Sequence, residues 1–149
     1  MYYKRIDVNC EIPQNNVSDE KIKKILKNSK TIAVIGLSPN EQKISYKVSA
    51  YMKSVGYKIV PIYPKGEYIL DEKVYRSILD VPFDIDIVNV FRKPEAANAI
   101  YEDIKKMKNK PVLWLQLGII NNEVFKASEE DNIKMIQNKC IKIEHQKGF

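Results

Sequence analysis

The chain has 149 residues, 44% hydrophobic and 30% charged, with 25 Lys and Arg against 19 Asp and Glu and a formal charge of +6. This fits one compact domain able to bury a core without disulfides or metal, and it excludes disordered and collagen-like chains. No apolar run approaches the roughly 20 residues that a bilayer crossing requires, and Lys4, Arg5, Asp7, Asn9 and Glu11 interrupt any signal-peptide pattern, so the expected location is the cytoplasm.

Residues 1–17 show no helical period, and Pro13 followed by Gln14, Asn15 and Asn16 predicts irregular chain ahead of a domain over 18–149. Ser18 is suited to cap a helix running to about Asn28, with Asp19 and Glu20 in the first turn and Ile22, Ile25 and Leu26 on one face. Thr31 to Gly36 is a nearly continuous apolar run, as in a strand buried on both faces. After a polar loop, Val48, Tyr51, Met52 and Val55 fall at helical spacing, and Gly56 stands where a left-handed cap belongs. Tyr57 to Tyr63 predicts a second strand, although Pro61 lacks a ladder donor and argues against perfect pairing there.

A short helix is expected over Tyr75 to Val81 and a third strand over Asp86 to Phe91. Pro94 suits the first turn of a helix whose apolar face is Ala97, Ile100, Ile104 and Met107. Pro111 to Gln116 predicts a fourth strand, Asn122 to Glu130 a helix and Ile133 to Ile136 a fifth strand, while Cys140 to His145 alternates as an extended edge would. Strands alternating with helices imply an α/β fold: a single Rossmann-like, doubly wound parallel sheet of about five strands with helices on both faces.

In such sheets ligands bind beyond the carboxyl ends of the strands, so the loops after Gly36, Tyr63, Phe91 and Gln116 carry the chemistry. The first loop offers Gly36 for close backbone approach, with Ser38, Lys43 and Ser45 at a helix start, a combination suited to phosphate. It matches neither G-x-G-x-x-G nor G-x-x-x-x-G-K-[ST], which weighs against NAD in its usual mode and against ATP hydrolysis. The second loop reads Tyr63-Pro64-Lys65-Gly66, a cation where an NAD enzyme places an acid, which suits NADP or coenzyme A; the bland alternative is one more surface lysine among 22. Arg92, one of three arginines, follows Val90 and Phe91 as a bidentate phosphate donor or as a solvated helix-start residue. Gly118 permits close approach after the fourth strand, and Trp114 reads as core.

Other chemistries have little to stand on. Cys10 and Cys140 are too few and scattered for a staple or a metal knuckle, and Cys140 reads as a buried, inert thiol. A lone histidine, His145, excludes a multi-histidine metal site. The lysines are interleaved with acids along the chain, the pattern of a solvated surface rather than a nucleic-acid groove. No catalytic and no metal-ligating residues are assigned.

The ordered set IAVIGLSPN, ISYKV, VPIYPKG, LDEKVYRSILDVP through DIVNVFRKPE, WLQLG and CIKIEH, spanning roughly Ser18 to His145, closely resembles the small stand-alone CoA-binding proteins of the YccU-like family. Those proteins are related to the CoA-binding domain of succinyl-CoA synthetase and of ADP-forming acyl-CoA synthetases. The resemblance implies a pyrophosphate on Gly36, Leu37, Ser38 and the helix start at Ser45, with Lys43 and Lys65 as nearby cations and Pro64 shaping the adenosine side. It further implies Val90, Phe91 and Arg92 along the adenine and phosphate region, and Gln116 and Gly118 bordering the pocket. The implied function is binding of coenzyme A or an acyl-CoA by a non-catalytic carrier or sensor, with no nucleic-acid or membrane partner. The alternative is an NADP-linked oxidoreductase or a CoA-dependent transferase subunit acting with a partner, for which His145 and Cys140 are the available general bases.

Overall fold

A computed structural model describes residues 16–149 of the chain. The irregular segment expected over 1–17 lies outside the described residues except for its last two, and Cys10 lies outside them altogether.

Helix α1, Asp19–Asn28, starts as expected: the Ser18 side chain accepts the Lys21 amide, and Ile22, Ile25 and Leu26 are buried. The other main helices are α2, Ile44–Ser54, α3, Ala96–Lys106, α4, Asn122–Glu130, and α5, Ile141–Gly148. Strands β1, Thr31–Ile35, β2, Lys58–Ile62, β5, Ile87–Val90, β6, Val112–Leu115, and β7, Met135–Ile136, form one parallel sheet in the order β2-β1-β5-β6-β7. A small antiparallel hairpin, β3, Tyr68–Ile69, with β4, Glu72–Lys73, stands apart from it.

Alternation along each strand sorts the apolar side chains into two cores. Ile32, Val34, Ile59, Ile87, Trp114 and Ile136 face α1, α2 and α5, whereas Ala33, Val60, Val88, Val90, Leu113 and Leu115 face α3 and α4. Trp114 is fully buried, and its indole N–H donates to the Lys139 carbonyl at 2.8 Å. Helix α2 covers one face while the chain moves from β1 outward to β2; α3 and α4 cover the other face while it moves from β5 outward to β7. The winding therefore reverses between β1 and β5.

Three expectations need correction. The residues expected to form a helix from Tyr75 make an outer strap instead: Tyr75 accepts from the Tyr63 amide and donates to the Pro61 carbonyl, and only a single 3₁₀ turn, Ile78–Asp80, follows under the Ser77 cap. Backbone groups committed to the edge of β2 are not available to a helix. Pro61 does not spoil its strand, because Ile62 O accepts from Gly36 on the β1 side while Pro61 O bonds Tyr75, so the missing donor of Pro61 points away from β1. The third correction concerns Cys140 to His145, which is helical from Ile141: Ile141, Glu144 and His145 are buried at the spacing i, i+3, i+4, and Ile143 is exposed. At the far edge, the Asn16 side-chain amide pairs with the backbone of Gln137, just past β7, donating to its carbonyl at 2.7 Å and accepting its amide at 3.3 Å.

His145 belongs to the packing of α5. Its Nδ1 lies 2.9 Å from the Tyr51 hydroxyl, its ring stacks on Phe149 at 4.5 Å, and the rings of Tyr51 and Tyr57 meet it edge-on. Burial holds the imidazole below its ordinary value. The unfolded chain then binds the proton more readily, so the neutral ring's contribution to stability is whole above about pH 6.5 and is lost as pH falls through the window below it. Wild type should therefore lose more melting temperature than His145→Phe on acidification from about pH 7.5 to about pH 5; thermal melts of both proteins at the two values check this.

Gly36 and Gly118 both have positive φ, at +85° and +88°, but a Cβ on Gly36 would lie 2.6 Å from the backbone oxygen of Phe91, whereas one on Gly118 would meet nothing within 4 Å. Gly118→Ala should cost about 1–2 kcal/mol from left-handed strain alone. Gly36→Ala should cost distinctly more, and melts resolve the difference at about 2–4 °C per kcal/mol for a domain of this size.

Candidate functional site

A cavity of 1140 Å³ opens at the winding reversal beyond the carboxyl ends of β1, β5 and β6. It is larger than the roughly 300–1,000 Å³ usual for small-ligand pockets.

The loop from β1 to α2 builds one side. Gly36 leaves β1 with its amide on the Ile62 carbonyl. The Ser45 hydroxyl, in the first turn of α2, accepts the Ser38 amide at 3.1 Å, and the Ser38 hydroxyl accepts the Asn40 amide at 3.0 Å. These bonds fold the loop back onto the start of α2, so Ser38, Lys43 and Ser45 reach the same cavity. Lys43 occupies the cap position without a side-chain cap bond, and no acid sits in the first turn. The Tyr46 and Lys47 amides donate to the Lys43 carbonyl, so the Ile44 and Ser45 amides and the positive end of the helix are left to an anion.

The chain after β5 builds the next side. Phe91 is half-buried and Arg92 exposed, and the Arg92 Cδ passes so close to Gly36 that an added Cβ would sit 3.0 Å from it. Lys93 and Glu95 complete this bank. Among the described residues, Lys43, Arg92 and Lys93 take part in no ion pair, whereas Lys53, Lys105, Lys106 and Lys147 do. Three cations against the single carboxylate of Glu95 make the cavity electropositive.

The third side comes from the end of β6 and the start of α5. Gln116 is 3% exposed, and its Oε1 accepts the Ile141 amide at 3.0 Å. Leu117, Ile119, Cys140 and Ile143 line the cavity beside it, and Ile44 from α2 adds a further apolar group.

Of the residues read from sequence, Gly36, Ser38, Lys43, Ser45, Phe91, Arg92 and Gln116 meet in the cavity wall. Leu37 and Val90 are buried in the two cores behind it. Pro64 and Lys65 are exposed on the loop after β2 and stay out of the wall, as does Gly118, whose amide donates to the Asn138 side chain. Arg76 secures the Pro64–Lys65 loop by donating to the Tyr63 and Gly66 carbonyls. Within the protein a Cβ at Gly118 would meet nothing within 4 Å, and the left-handed turn calls for glycine there.

Cys140 was expected to be buried and inert, but it is half-buried and faces the cavity. Sequence reading also passed over Ile44, Tyr63, Lys93, Glu95, Leu117, Ile119 and Ile143. The signal for Cys140 and Ile143 lay in reading 140–145 at helical rather than strand spacing. His145 is absent from the wall, and no group of three His, Cys, Asp or Glu suited to a metal occurs among the described residues. No described helix is long and apolar enough to cross a membrane.

Residues 30–146 match the family described as CoA binding domain. The chain is 38% identical over 130 residues to the uncharacterized protein YneT of Bacillus subtilis, covering 87% of this chain and 96% of that protein. It is 28% identical over 127 residues to an ADP-forming acetate–CoA ligase of Methanocaldococcus jannaschii, covering 80% of this chain but 18% of the ligase. A solved structure of a hypothetical protein from Pyrococcus horikoshii OT3 superimposes with a TM-score of 0.83 at 33% identity, covering 99% of this chain and 98% of that one.

Proposed function

The chain belongs to the CoA-binding domain family, and on that premise we propose that it binds coenzyme A or an acyl-CoA in the cavity at the ends of β1, β5 and β6, as a cytoplasmic carrier or sensor without catalysis of its own. The observation that carries this reading is the set of unpaired cations, Lys43 at the start of α2 with Arg92 and Lys93 after β5, lining one cavity whose other wall is apolar. A diphosphate with an uncharged arm has that distribution of chemistry.

In this reading Gly36 lets the pyrophosphate approach the backbone, Ser38, Ser45 and the Ile44 and Ser45 amides at the start of α2 hold its oxygens, and Lys43 and Arg92 balance its charge. Leu37 and Val90 fix the floor from behind, and Phe91 offers a ring for the base. Pro64, Lys65 and Gly118 stand at the margin, where a 3′-phosphate or the ligand's outer portions would reach them. The non-catalytic reading is supported by His145, the one histidine, lying among Tyr51, Tyr57 and Phe149 instead of in the wall.

A second reading, a CoA-dependent transferase unit working with a partner, is favoured by the ligase relatives, of which this chain matches under a quarter of the length.

Calorimetric titration with CoA, dephospho-CoA, NADP and NAD tests the proposal. CoA should bind and NAD should not; NADP binding without CoA binding would move the chain to an oxidoreductase. The Ser38→Ala, Arg92→Ala double variant should bind CoA at least about tenfold more weakly, since a hydrogen bond to a charged group contributes about 1.5–3 kcal/mol. Unchanged affinity would remove these residues from the site.

A further inference from the structure

Two helices start at the cavity and pack against each other as they leave it. Helix α2 brings Lys43, Ile44 and Ser45 to the wall, and α5 brings Cys140 and Ile143. Between one and two turns further along, a side-chain hydrogen bond joins them: the Tyr51 hydroxyl of α2 lies 2.9 Å from Nδ1 of His145 on α5. The first turn of α5 is held separately, by Gln116 Oε1 on the Ile141 amide. The tilt of α5 against α2, and with it the spacing of the two cavity banks, is therefore set at His145.

The surroundings of that ring suit its neutral form. His145 is 9% exposed, stacked on Phe149 and met edge-on by Tyr51 and Tyr57. Helix α2 presents Tyr51, with the Lys142 ammonium 5.3 Å over its ring, and Tyr57 ahead of β2 commits its hydroxyl to the Leu26 carbonyl. Helix α1 presents Asp19, ion-paired with Lys147, and Lys23, which packs at Gly148. On α5 itself, Glu144 pairs with Lys147. Among the described residues no carboxylate lies within ion-pair distance of the imidazole. A second ring proton would remove the lone pair of Nδ1, so a bond donated by Tyr51 would be lost, and would leave a charge without a counter-ion among three aromatic rings.

We infer that protonation of His145 loosens α5 from α2 and weakens the hold on a ligand seated between their first turns, so that acidification releases it. The inference rests on the CoA reading of the cavity. Linkage is reciprocal: a ligand that needs α5 docked must keep the imidazole neutral by the same factor. The sign separates this device from a plain charge effect, because an anion acting through space would favour the imidazolium.

The chain has a single histidine, so the imidazole proton NMR signal of the full chain, purified without a histidine tag, reads this ring alone. Saturating CoA should lower the midpoint of its titration by about 0.5 pH, equivalent to about threefold weaker CoA binding by the imidazolium form. In Tyr51→Phe, which keeps the histidine and removes the tie, CoA should leave the midpoint where it was. By calorimetry, the loss of CoA affinity from about pH 7.5 to about pH 5 should be about two- to threefold greater in wild type than in His145→Phe, since both share the titration of the ligand's own phosphate. A midpoint that rises or stays fixed when CoA binds, or one that falls equally in Tyr51→Phe, overturns the inference and leaves the CoA reading standing. Absence of CoA binding at about pH 7.5 overturns both.

Discussion

The arrangement depends on one close approach, between the backbone of Gly36 and the carbonyl of Phe91. Gly36 is tied to Ile62 on one side, and Phe91 donates to the Ile35 carbonyl on the other, so the three strand ends are locked in register up to the point where their loops part. One loop rises into α2 on one face, the other into α3 on the opposite face, and the space between them is the cavity. A side chain at Gly36 would push apart the two strands that define that opening. The same contact lays the Arg92 stem across Gly36, so the geometry that makes the crevice also delivers a cation to it.

The fold was legible where burial is two-sided or caps are explicit. Ile32 to Ile35 can be a continuous apolar run, and Ile87 to Val90 one broken by Asn89 alone, only because helices cover both faces, and Ser18 and Asn121 cap their helices through their own side chains. It was illegible where tertiary contacts overrode local pattern. Tyr75 looks helical until the edge of β2 claims its amide and carbonyl. Residues 140–145 alternate in polarity, yet Glu144 and His145 are both buried by neighbouring helices and aromatic rings, which makes the apparent alternation misleading. The hairpin turn escaped notice because Leu70 and Asp71, both at positive φ, replace the glycine or asparagine that normally announces such a turn.

The site divides along similar lines. Residues in the β1–α2 loop and directly after β5 were readable, because a strand end followed by glycine, serine and a cation implies its own location. Strand alternation turns Val90 into the core beside Phe91, and Arg76 draws the Lys65 loop outward; neither effect is visible in a linear motif. The α5 wall required knowing that the last segment is helical and that Gln116 spends its oxygen on it.

Both margins of the sheet are closed by small devices. The Tyr75 strap pairs with the end of β2 through the Pro61 carbonyl and the Tyr63 amide, where Pro61 could donate nothing in any case, and the Asn16 amide stands in for a neighbouring strand immediately after the two-residue β7. A sheet finished in this way offers little template for strand addition, so it resists aggregation through its edges. It can also sit beside unrelated polypeptide without exchanging β-structure with it, a property that suits a unit whose relatives include both a protein of its own size and ligases several times longer.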